Sequence, residues 1–323
     1  MVNEHAITET GRSGHELAIA VDMGGSKFIV GLVNSSGEIL CEERRLWTEL
    51  SSDGVVRDIK KAVHALLDSH KNLHPTIFGA TIPGLADPKK GLWVESSFSG
   101  IRSLPFASIM EAEFGLPVRL DNDGRACTVA ERLFGCCKEV DHFIWLTVSN
   151  GIGGSVFING SLYHGGSGNA GEIGHVVVEE GPGARPCKCG HSGCVEMHAS
   201  GLGLVKNYLS LGGKAEIDGE PPTAKTIAAL ARGGDKISIK TYEMEGLYLG
   251  RAIGAAINIL NPQKVVIGGG VSLGFDLFWP SLSATLETHV YLNANPGFVV
   301  EPTALGYNAA LIGAAALCFA ATD

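Results

Sequence analysis

Several things are scarce in this chain. Only 18% of its 323 residues are charged, and no run of lysine or arginine occurs. The formal charge is −9. An acidic mean field opposes phosphate backbones, so a nucleic-acid surface is not expected. No segment approaches the roughly 18 consecutive apolar residues of a membrane span, so no membrane partner is expected either. Met1 to His15 lacks the apolar core of a signal peptide and reads as a flexible polar tail. The eight cysteines are too few and too unevenly spaced for a secreted disulfide framework. Cys136 and Cys137 are adjacent, while Cys41, Cys127 and Cys318 stand alone. That usage fits a reduced, cytoplasmic setting with a metal site.

The remaining cysteines form the most informative stretch. Cys187, Cys189 and Cys194 make a C-x-C-x4-C array, with His175 upstream. Three thiolates and one imidazole complete a closed tetrahedral Zn²⁺ shell, which describes a structural site. His191 or His198 can replace His175 as the fourth ligand, and free thiols in a glycine-rich loop are the plain alternative. Glu172 precedes His175 by three residues and Glu196 follows Cys194 by two. A metal that pins a loop bearing two acids can hold a polar small molecule.

The 44 glycines and 45% hydrophobic residues suit a two-domain globular α/β protein. Leu17 to Asp22 is an apolar run ending in a glycine turn, and Phe28 to Val33 follows. His142 to Val148 repeats the plan, with Asn159-Gly160 as a type I′ turn signal. The two stretches predict an internal duplication, with two related lobes facing a cleft. Helices are expected with Val55, Ile59 and Val63 on one face and Ser52 as cap, then over Ala126 to Leu133. More are expected over Ala252 to Leu260 and Ala309 to Ala321.

Three glycine loops follow strands: Gly24-Gly25, Gly151 to Gly154, and Gly268 to Gly270. Glycine lets backbone N–H groups approach phosphate oxygens closely. None of the three is a G-x-x-x-x-G-K-[ST] loop or a complete G-x-G-x-x-G pattern. Asp22, at the end of a buried strand, can hold Mg²⁺ through water or can close the hairpin as an Asx turn. Ser26 and Lys27 follow and can face phosphate. Asp121-Asn122-Asp123 precedes a helix, so each residue is a candidate cap. The functional reading makes Asp123 a base toward a hydroxyl, kept charged by the helix N-terminus. Asn122 can bind an alcohol through both donor and acceptor. These parts together describe ATP-dependent phosphorylation of a polyol.

At these residues the chain resembles the ROK family of sugar kinases and sugar-responsive repressors. Asp22 to Lys27 resembles its D-x-G-G-T-K loop, and Leu120 to Ala126 its N-D-A-type catalytic segment. Gly171 to His175 resembles its G-E-x-G-H motif, and Cys187 to Glu196 its C-x-C-G-x-x-G-C-x-E signature. The resemblance implies an actin-like (ribonuclease H-like) ATPase fold with its site in a cleft. It implies that Asp123 deprotonates a hexose 6-hydroxyl for attack on ATP. Asn122, Asp123, Glu172, His175 and Glu196 would contact the sugar. Asp22, Gly24, Gly25, Ser26, Lys27, Asn150, Gly151, Gly153, Gly268, Gly269 and Gly270 would serve the nucleotide and Mg²⁺. His175, Cys187, Cys189 and Cys194 would hold zinc, and a homodimer is expected. The expected division is a tail over 1–15, a small lobe over 16–122 plus 305–323, and a large lobe over 123–304. With so few residues ahead of the first strand, a DNA-reading module is not expected.

The chain departs from the family pattern in places. Ser26 stands where threonine is usual, and Ser149-Asn150 where Gly-Thr is usual. Ser155 replaces a frequent glycine, Gly124-Arg125 a frequent Ala-Asn, and Ser96 to Gly100 differs from the usual glucokinase segment. The candidate activities are a glucokinase-like hexokinase, an N-acylhexosamine kinase, and a non-enzymatic sugar sensor.

Overall fold

The computed structural model describes residues 16–96 and 98–320. The expected tail and Ser97 lie outside the described residues. The chain divides into two compact units. One runs to Gly135 and resumes at Asn308; the other is Cys136–Tyr307. The expected breaks were at 122/123 and 304/305.

The first unit begins with β1 (Leu17–Met23), β2 (Lys27–Asn34), β3 (Ile39–Leu46) and α1 (Ser52–Ser69). It continues with β4 (Ile77–Ile82), β5 (Gly84–Asp87), β6 (Leu92–Ser96), β7 (Arg102–Leu104), α2 (Phe106–Phe114), β8 (Val118–Asn122) and α3 (Asp123–Leu133). The second unit holds β9 (Phe143–Val148), β10 (Ile152–Ile158), β11 (Ser161–Leu162), α4 (Val195–Ala199), α5 (Gly201–Ser210), α6 (Ala224–Arg232) and α7 (Lys236–Leu260). Then come β12 (Lys264–Gly268), α8 (Phe275–His289) and β13 (Val299–Pro302), and α9 (Ala309–Phe319) returns to the first unit.

The first sheet has the order β3-β2-β1-β4-β8, and the second β11-β10-β9-β12-β13. In each, an antiparallel hairpin pair is followed by parallel strands: β1 with β4 and β4 with β8, then β9 with β12 and β12 with β13. The expected internal repeat is therefore present in the topology. Parallel strands covered on both faces need near-continuous apolar sequence. β4 supplies it, with all six residues buried.

Local signals explain the boundaries. α1 is capped by Ser51, whose hydroxyl accepts the Gly54 N–H at 3.1 Å, one residue before the expected cap. α7 ends at Leu260, the end expected from its sequence, and Asn261, one residue past it, turns left-handed ahead of Pro262. Asn159 and Gly160 have φ of 53° and 76°, the signs a type I′ turn requires. α9 is rich in small residues because it packs tightly: a Cβ on Gly79 would run into the Ala314 carbonyl, and one on Gly313 into the Ala126 backbone. That packing holds α3 within the first unit and accounts for a boundary later than the expected one.

Candidate functional site

In the first unit the carboxyl ends of three adjacent parallel strands gather the polar residues. Asp22 of β1 is paired with Thr81 of β4, Thr81 with Asp121 of β8, and Ile82 with Asn122. Thr81 donates its hydroxyl to Asp22 Oδ1 at 2.8 Å and accepts the Met23 N–H at 3.2 Å. The Asx-turn alternative fails, since the hairpin is closed by the Gly24 N–H donating to Lys27 O at 2.9 Å. Trp47 Nε1 donates to Gly24 O at 2.8 Å and stacks on Phe28, fixing the turn from beneath. Burial pushes Asp22 up to about 6, against the Thr81 hydrogen bond; the Asp123 charge adds to the rise.

The Asp121-Asn122-Asp123 run divides its labour. Asp121 is buried in an ion pair with Arg125, whose Nε donates at 2.6 Å. Asn122 is the cap: its Oδ1 accepts from the Gly124 and Arg125 N–H groups, and its Nδ2 donates to Gly84 O. Most of its bonding capacity is thus committed to the backbone. Asp123 remains in the first turn of α3, accepting the Gly124 N–H at 2.9 Å. Its carboxyl is raised, mainly by burial, against the pull of Gly124 and Asn122. The helix N-terminus was expected to favour the charge; desolvation outweighs it. A raised pKa makes the ionised form a better base.

In the second unit the Gly171–His175 segment lies on β10. A Cβ on Gly174 would run into the Ile152 carbonyl oxygen, which is why this motif uses glycine there. His175, Cys187, Cys189 and Cys194 bring their donor atoms within 4.8 Å of one another. Cys187 Sγ lies 3.6 Å from His175 Nδ1, and Cys189 Sγ lies 3.6 Å from Cys194 Sγ. A tetrahedron with metal–sulfur bonds of about 2.3 Å has edges of roughly 3.8 Å, so the donor set fits zinc. Burial, then the neighbouring thiols, pushes Cys194 up to about 12; a bound cation reverses that pressure. Neither alternative histidine belongs to this cluster of donor atoms. His191 is exposed, and buried His198 accepts the Arg185 N–H and lies against Tyr248.

His175 turns Nε2 toward Glu172, 3.8 Å away, and the Glu172 side chain is 62% exposed. Glu196, in the first turn of α4, accepts the Ile152 N–H at 3.0 Å. A cavity of about 360 Å³ lies in this unit, lined by Asn150, Leu202, Ala228, Gly270, Leu273 and Tyr307 among others. Of the last glycine loop, Gly270 reaches it. Gly268 packs on the Trp145 ring, and Gly269, at φ 86°, sits against the Val148 carbonyl. Gly151 lies under the Glu196 carboxylate, and Gly153 is exposed. Sequence reasoning missed Thr81, Trp47 and the Arg125–Asp121 pair. Thr81 was visible as the polar interruption of an apolar run, and Asp121 and Arg125 as opposite charges four residues apart; Trp47 carries no local signal.

The sequence signature of the ROK family matches residues 18–321. The chain belongs to the ROK family. It is 31% identical over 309 residues to the glucokinase of Thermotoga maritima, covering 93% of this chain and 96% of that one. It is 29% identical over 316 residues to the N-acetylglucosamine repressor of Escherichia coli O157:H7, covering 96% of this chain and 76% of the repressor. Among solved structures, the ROK glucokinase of Streptomyces griseus, in complex with glucose and AMPPNP, superposes with a TM-score of 0.82 at 28% identity, covering 93% of this chain and 98% of that one. The fold is that of the ROK sugar kinases, the actin-like ATPase fold. The family contains both kinases and repressors, and this ROK chain is similar to members of each kind.

Proposed function

We propose that this ROK protein is an ATP-dependent sugar kinase acting on the 6-hydroxyl of a hexose, with glucose as the first candidate. The observation that carries the reading is the pair Asp22 and Asp123. Both are raised by burial, both stand at or just past strand ends of one sheet, and the Asp123 charge adds to the rise at Asp22. Such a pair separates two tasks. Asp123 takes the hydroxyl proton, and Asp22 holds Mg²⁺ through water. The metal, when bound, neutralises charge on the transferring phosphoryl group. Gly24, Gly25, Ser26 and Lys27 serve the phosphates from the first unit. Asn150, Gly151, Gly153 and Gly268 to Gly270 serve the donor from the second, with the adenosine assigned to the cavity beside Gly270. His175, Cys187, Cys189 and Cys194 hold zinc, and Glu172, His175 and Glu196 take sugar hydroxyls with Asn122 and Asp123. Asn122 offers one N–H beyond its capping bonds.

The test is a coupled ADP-release assay against glucose, mannose, fructose, allose, N-acetylglucosamine and N-acetylmannosamine. Turnover of glucose or another hexose supports the reading. Turnover of an N-acylhexosamine alone replaces the hexose with the second candidate, which the similarity to an N-acetylglucosamine repressor favours. Silence on all six, with a sugar still bound in calorimetry, overturns the kinase assignment in favour of a sensor.

A further inference from the structure

We infer that Glu196 is a positioning residue for the donor loop Ser149–Ile152, holding it through the Ile152 N–H. The inference rests on the proposed function, which gives that loop to the donor phosphates. All of the groups involved lie in the second unit.

The loop does little to hold itself. Its internal backbone bond runs from the Ser149 N–H to Gly151 O at 2.9 Å. Two further bonds come from the segment that follows the cysteine array. Glu196 Oε2 accepts the Ile152 N–H at 3.0 Å, and the Gly201 N–H donates to Ser149 O at 2.6 Å. The loop is therefore gripped at both ends by the α4–α5 stretch. Gly151 shows how close the grip is: a Cβ there would stand 2.6 Å from Glu196 Oε2. The carboxylate occupies the space a side chain would need.

The grip is anchored at the cysteine array. Cys194 is the residue before α4, and Glu196 is the second residue of that helix. The Val195 N–H donates to Val176 O at 2.9 Å, next to His175. The two sides of the donor set thus fix the start of α4, and α4 fixes the carboxylate. One oxygen of Glu196 holds the loop and the other is left to a sugar hydroxyl. A carboxylate shared in this way links acceptor and donor sites, and such linkage is reciprocal.

The experiment is titration calorimetry of AMPPNP with Mg²⁺, without sugar, on the full chain and its variants. Glu196→Gln keeps an oxygen for the Ile152 N–H, so its AMPPNP affinity stays within about 2-fold of wild type. Glu196→Asp keeps the charge but is one methylene short, and loses about 10-fold, the scale of a hydrogen bond to a charged group. Zinc content stays at the wild-type ratio in both, which separates loop positioning from loss of the metal module. Stripping zinc from wild type weakens AMPPNP by a similar factor and adds little to Glu196→Asp, since both act on one contact. Wild-type affinity in Glu196→Asp overturns the inference, as does a Glu196→Gln variant as weak as Glu196→Asp. Wild-type protein that binds no AMPPNP overturns the proposed donor site and this inference with it.

Discussion

The two sheets share one strand order but not one chemistry. In the first, the hairpin ends with the pair Met23 and Phe28; in the second, with Val148 and Ile152. One residue back, Asp22 in the first half corresponds to Thr147 in the second. Their parallel-strand partners are Thr81 and Gly268. The first half thus presents a half-buried carboxylate held by a hydroxyl. The second presents a hydroxyl, which accepts from Trp145 Nε1 at 2.8 Å, beside a glycine packed on that same ring. Equal backbones have diverged in charge. The charged end gathers Asp22, Asp121 and Asp123; the neutral end leads to the loop whose Asn150 lines the cavity.

The largest effect that tests this contrast falls on Asp123. Asp123→Asn is expected to lower kcat by about 10²–10⁴, the range a general base supplies. Zinc content stays unchanged, and the melting temperature at neutral pH does not fall, since burial already disfavours the Asp123 charge. Near-normal turnover would remove the base from the charged half and erase the distinction.

Asp22→Asn is next, and it separates activity from stability. Asp22 is raised to about 6 from 3.8, so the folded state disfavours its charge. Its stabilising contribution is complete below 3.8 and is lost as pH rises through about 6. At pH 7.5 the ionised group costs up to about 3 kcal/mol. The variant is therefore expected to melt higher than wild type at pH 7.5, to match it near pH 3.5, and to lose turnover. Equal melting at both pH values would show that the charge is not strained.

The frame of this comparison was legible in the sequence, because it is written in local patterns. Apolar runs ending in glycine turns marked both hairpins, and Asn159-Gly160 marked its turn. The C-x-C-x4-C spacing brought the thiols together because the eight residues from Cys187 to Cys194 span one tight loop. The division of labour in Asp121-Asn122-Asp123 was not legible. Three adjacent polar residues before a helix read alike until the strand-to-helix turn brings Arg125 back onto Asp121 and the tertiary fold supplies Gly84 to Asn122. The rise at Asp123 was not legible for the same reason, since burial is a property of the assembled unit and helix polarity a local one. The unit boundary after Gly135 depends on α9 packing from 180 residues away, roughly, and no window of sequence contains it.

Cys189→Ser carries a smaller effect into the second half. It is expected to lower bound zinc below one equivalent by elemental analysis and to weaken sugar binding through Glu172 and Glu196. An unchanged zinc ratio would take Cys189 out of the donor set and leave the second half without its anchor.

The smallest effect compares the two halves directly, through matched substitutions of Thr81 and Thr147 by valine. Each removes a hydroxyl and keeps the shape. Thr81→Val deprives Asp22 of the hydrogen bond that lowers its pKa, so the carboxyl rises further above about 6. The acid limb of kcat/KM then moves to higher pH. Thr147→Val leaves the buried Trp145 Nε1 without its acceptor, at a cost of about 1–3 kcal/mol. No carboxylate faces that hydroxyl in the hydrogen bonds of the described residues, so the pH profile stays in place while the melting temperature falls. If both variants moved the acid limb equally, the charge asymmetry between the two sheets would not be what sets the ionisation of the site.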